Sequence, residues 1–137
     1  MESLLIKNVL HEGRKCNILV EGNVIKTIAP SSATLQADKT IEAEGKAILP
    51  SFFNTHTHAA MTLMRGYADD MVLDTWLREY IWPFEAKLTP EDIRKGTRLA
   101  ISEMKCSGTT FMNDMYFDIE GAIEEVDKSG MRAAIGV

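Results

Sequence analysis

Across residues 3 to 49, apolar positions come in short β-prone runs separated by turn signals, which predicts strands over 4–9, 16–20, 24–28, 40–42 and 47–49. Glu21-Gly22-Asn23, between two of these runs, is a hairpin signal because Gly and Asn tolerate positive φ. From Asp69 onward the period becomes helical. Leu73, Trp76, Leu77, Tyr80, Ile81 and Phe84 recur on one stripe, with Asp69 or Asp70 placed to cap its start and Pro83 to disrupt its end. A second helix is marked by Thr89 as cap, Pro90 in the first turn and Asp92 as capping-box acid. Its inner face is Ile93, Thr97, Ala100, Ile101 and Met104, and Gly108 stops it. Residues 109–113 then read as a strand, 119–128 as an amphipathic helix closed by Gly130, and 131–137 as a further buried strand.

The order strand, helix, strand, helix, strand predicts parallel strands with helical crossovers, an α/β architecture whose ligands sit at the carboxyl ends of the strands. A complete (β/α)₈ barrel needs eight strands and about 250 residues. The pattern therefore predicts the N-terminal portion of a larger folding unit, or one that a second chain completes.

One such strand end carries chemistry. Leu49 to His58 reads Leu-Pro-Ser-Phe-Phe-Asn-Thr-His-Thr-His, an apolar run ending in two histidines one residue apart. Alternate side chains on a strand share a face, so His56 and His58 are predicted to converge on one metal ion. Imidazole suits zinc, with iron or nickel as alternatives. A catalytic zinc needs three protein ligands and a water, and the remaining histidine, His11, lies in a turn-like His-Glu-Gly-Arg where a solvated role is expected. The pair is half a site.

Composition narrows the function classes. Of 137 residues, 45% are hydrophobic and 26% charged, which is ordinary for a globular domain and argues against disorder. A net charge of -5 and the lack of a Lys/Arg run argue against nucleic-acid or anionic-membrane binding. No basic stretch precedes an apolar core at the N-terminus and no apolar run reaches spanning length, so a cytoplasmic protein is expected. Cys16 and Cys106 fit reduced thiols without a function.

Two stretches carry a family resemblance: Asn-Thr-His-Thr-His-Ala-Ala-Met-Thr-Leu-Met-Arg-Gly-Tyr-Ala-Asp-Asp from Asn54, and Trp-Leu-Arg-Glu-Tyr-Ile-Trp-Pro-Phe-Glu-Ala-Lys-Leu from Trp76. With them the chain resembles the N-terminal part of the amidohydrolase superfamily, metal-dependent hydrolases built on a (β/α)₈ barrel with a small accessory β-sandwich. Within it the chain is similar to 5-methylthioadenosine/S-adenosylhomocysteine deaminases, relatives of guanine deaminases and triazine chlorohydrolases. The resemblance implies an accessory sandwich segment at 1–48 and the first barrel elements at 49–137. It implies His56 and His58 as the first two metal ligands, with two further histidines, an aspartate and a proton-handling glutamate on later strands. It places Trp76 and Glu85 where such deaminases contact the ribose hydroxyls. Ser51 departs from the family, which usually has glycine after Leu-Pro.

The reaction so implied is metal-hydroxide attack on the amino-bearing ring carbon of a purine nucleoside, with loss of ammonia. The His-x-Glu and Pro-Cys-x-x-Cys signature of the other zinc deaminases is absent. Guanine deamination or triazine dechlorination is the alternative within the class. A non-catalytic assembly module is the alternative outside it, and two ligands alone predict an inactive 137-residue chain. An open barrel edge predicts a homo-oligomer or a complementary C-terminal chain. From periodicity alone Trp76 reads as packing and Glu85 as a helix-end charge. Asp114, at a strand end, is expected to cap the next element rather than orient a ligand histidine, and the scattered methionines read as apolar filling.

Overall fold

The structure is a computed structural model and describes residues 2–136. The chain divides into two compact units, one reaching to Pro50 and one starting at Ser51.

In the first unit, strands β1 (Ser3–His11), β2 (Arg14–Glu21), β3 (Val24–Pro30) and β4 (Lys39–Glu42) form one sheet in the order β3-β2-β1-β4. Both hairpins are antiparallel, and β4 lies parallel to β1. Gly13 and Gly22 take positive φ in the two turns. Val9, Cys16, Ile18 and Ala43 form the core of this unit. Asn17 is buried beside them with both amide hydrogens and its oxygen engaged. Its Oδ1 accepts from the Asn8 N–H, where β1 is bulged and φ is +59°, and its Nδ2 donates to the Ser31 and Ala33 oxygens. The strand expected at 47–49 does not form. Ala47 makes an isolated bridge to Leu10, and Pro50, which lacks an N–H, follows at once.

The second unit is α/β. Strands β5 (Phe52–Thr57), β6 (Thr109–Met115) and β7 (Arg132–Gly136) are all parallel, in the order β5-β6-β7. A 3₁₀ turn, Ala59–Met64, follows β5. Next come α1 (Leu73–Thr75), a π-helical stretch Trp76–Ile81, and α2 (Trp82–Glu85). Helices α3 (Pro90–Cys106) and α4 (Ile119–Ser129) make the crossovers into β6 and β7. The Thr89/Asp92 capping box is complete, and Gly130 ends α4 at a φ of +68°. Ala59, Ala100, Ile101, Met112 and Met131 form the core between helices and sheet.

Three expectations need correction. Neither Asp69 nor Asp70 caps the first helix: it starts at Leu73, and Val72 at its N-cap offers no side-chain bond. Pro83 does not end it. The Trp82 N–H reaches back five residues to the Leu77 oxygen, and this wider π turn relieves the clash a proline makes with the preceding α turn. The strand expected to be buried over 131–137 is half open through Gly136, the last described residue, because β7, like β5, is an edge of the three-stranded sheet, as an open barrel edge implies. Phe52 and Phe53 are 61% and 64% exposed. No helix among the described residues is long and apolar enough to cross a membrane.

Candidate metal centre and adjoining cleft

His56 is near the carboxyl end of β5, and His58 lies one residue beyond it. Their rings meet edge to face with centroids 5.2 Å apart. The neighbouring strand fixes the second ring: β6 runs alongside with Thr57 opposite Asp114, and the Met115 oxygen lies 2.7 Å from His58 Nδ1. A carbonyl can only accept, so Nδ1 carries a proton, and in the neutral ring Nε2 keeps its lone pair. Backbone fixation of one ring nitrogen is how metal-binding histidines are commonly held.

The turn after His58 is held from two directions. Asp114, 1% exposed, accepts the Ala59 N–H at 2.7 Å through Oδ1. It thus ties down the backbone following His58 and does not cap its own successor element. Burial pushes its carboxyl above the usual aspartate range, against the opposing pull of the hydrogen bond from the Ala59 N–H. On the other side, Gly96 of α3 packs on Ala60 so closely that a Cβ would stand 2.6 Å from the Ala60 oxygen.

His58 borders a cleft of about 430 Å³ together with Trp76, Glu85 and Tyr116, and with Met61 and Leu77 as apolar lining. His56 borders a different opening, beside Asn54 and Glu103, which His58 also touches. Trp76 donates its one side-chain polar hydrogen to the Ala68 oxygen at 3.1 Å, so it lines the cleft without offering it a donor. Glu85 accepts the Tyr116 hydroxyl at 2.8 Å. Four side chains singled out from sequence are thus in one unit, with three of them on one cleft. His11 is in β1 of the other unit. Among the described residues, no three His, Cys, Asp or Glu side chains converge to hold a metal, so the donor set fits two positions of a metal site. Sequence reasoning missed Tyr116 and the Met115 carbonyl. Their place just at the end of β6, in Asn-Asp-Met-Tyr, was the available signal.

Parallel strands with helical crossovers, and two imidazoles at one strand end, define an α/β scaffold. The chain belongs to the amidohydrolase family, whose sequence profile matches residues 47–137. It is 49% identical over 133 residues to a 5'-deoxyadenosine deaminase of Methanocaldococcus jannaschii, covering 96% of this chain and 32% of that protein. It is 53% identical over 119 residues to a 5-methylthioadenosine/S-adenosylhomocysteine deaminase of Syntrophomonas wolfei, covering 86% and 28%. Among solved structures, a zinc-bound adenosine deaminase from Xanthomonas campestris superposes with a TM-score of 0.86 at 34% identity, over 95% of this chain and 32% of that one. The chain thus spans about a third of the length of these proteins.

Proposed function

We propose that these residues open a (β/α)₈ metal-dependent hydrolase, with 1–48 contributing to an accessory β-sandwich and 49–137 the first barrel elements. The whole enzyme would remove the amino group of an adenosine-like nucleoside of the 5-methylthioadenosine or S-adenosylhomocysteine type. The observation that carries this reading is His58, whose Nδ1 is bound by Met115 so that Nε2 is free, at the mouth of a cleft that also holds Glu85.

In this reading His56 and His58 hold a divalent metal, zinc by preference, with further ligands from elsewhere in the whole enzyme. Such an ion would lower the pKa of a bound water to about 7 and so would supply a nucleophile at neutral pH. The residues present here position the substrate. Trp76 presents an aromatic face on which a nucleoside packs, and Glu85 accepts hydrogen bonds from the ribose hydroxyls. Met61 and Leu77 exclude water from the apolar side of the cleft. Glu85 also separates this reading from guanine deamination or triazine dechlorination, whose substrates carry no ribose.

The test is ammonia release by the full-length polypeptide, supplied with zinc, from adenosine, 5-methylthioadenosine and S-adenosylhomocysteine. Turnover of at least one is expected. Failure on all three overturns the reading.

A further inference from the structure

We propose that Tyr116 is the positioning residue for Glu85, holding its carboxylate where it meets the two hydroxyls of a ribosyl substrate. The inference rests on the reading of Glu85 given above.

Tyr116 follows directly on the last residue of β6, and Glu85 is the last residue of α2. A glutamate at a helix end has three side-chain torsions and little to select among them. Here the Tyr116 hydroxyl, donating to Oε1 at 2.8 Å, makes that selection. The tyrosine is itself held. Its ring stacks on Phe117 with centroids 4.2 Å apart and planes 24° from parallel, and it stands 6.4 Å from the His58 ring. Both partners line the cleft that His58 borders. A carboxylate can only accept, so the bond runs from the Tyr116 hydroxyl to Glu85. One bond from tyrosine uses one acceptor position of Glu85. Oε2 and the second lone pair of Oε1 stay free, enough for a vicinal diol.

A pre-set carboxylate that grips the ribose equally in ground and transition states lowers KM without changing kcat. The experiment is steady-state kinetics of the full-length enzyme on adenosine and on 2',3'-dideoxyadenosine. Tyr116→Phe is expected to raise KM for adenosine about tenfold, the size of one lost hydrogen bond to a charged group, with kcat within about twofold. Its kinetics on the dideoxy substrate should match wild type, and in a Glu85→Gln background it should add nothing. Phe keeps the stack on Phe117. Tyr116→Leu, which also lacks the hydroxyl, must show the same split between substrates. An equal loss on both substrates, a loss in kcat alone, or no change while Glu85→Gln still weakens adenosine selectively, overturns the role of Tyr116. If Glu85→Gln itself treats the two substrates alike, the ribose reading of Glu85 fails and Tyr116 falls with it.

Discussion

His58 Nδ1 lies 2.7 Å from the main-chain oxygen of Met115, so the end of β6 selects the tautomer of a ring just past the end of β5. The bond predicts that His58 is the Nδ1–H tautomer when neutral. Long-range ¹H–¹⁵N correlation of the imidazoles tests this directly: the Nε2 resonance of His58 should be that of an unprotonated nitrogen. A protonated Nε2 in the neutral ring would contradict the arrangement and remove the free ligand atom.

The approach of α3 to the turn after His58 requires a missing side chain. With an added Cβ at position 96 standing 2.6 Å from the Ala60 oxygen and 2.9 Å from its Cα, backbone must move. Gly96→Ala should cost about 1–3 kcal/mol, the range for overpacking, even though alanine is the better helix former by about 1 kcal/mol. Denaturant unfolding measures this. A stabilised variant would show that the contact is looser than described.

Asn17 offers a similar test in the other unit. Replacing it by Leu removes the partner of the Asn8 N–H and of two carbonyls, and should cost about 2–3 kcal/mol by denaturant unfolding. A change under about 0.5 kcal/mol would mean that solvent replaces all three bonds.

Glu125 of α4 is buried and bonded twice by Arg98 of α3, at 2.7 and 2.9 Å, with Lys128 at 3.4 Å. Chiefly through the Arg98 hydrogen bonds its carboxyl is held down at about 2, against the ordinary 4.5. A depressed carboxyl stabilises the fold above its unfolded value and loses that contribution as pH falls through its folded value. Glu125→Gln should therefore melt below wild type at pH 7, with the gap closing between about 4.5 and about 2. A gap that does not depend on pH across that window would show that the charge contributes nothing.

What could be read from the sequence was local. Thr89, Pro90 and Asp92 mark the start of α3 because capping is decided within four residues, and Gly130 marks the end of α4 for the same reason. The His-x-His pair was legible because a strand end and its alternation are both local features. Long-range pairings were not. Nothing in the sequence joins Met115 to His58, Tyr116 to Glu85, or Gly96 to Ala60, since each contact depends on which strands become neighbours and how α3 packs. Pro83 misled for a related reason: its usual effect on a helix was absorbed by the π turn before it, which the apolar stripe at period 3.6 does not reveal.

Metal binding by His56 and His58, as proposed, is read out by metal content. The full-length polypeptide, purified without chelator and analysed for elements, is predicted to carry about one divalent ion per chain, with most of it lost in the His56→Ala/His58→Ala variant. An unchanged metal content in a folded double variant would show that these two histidines do not hold the ion.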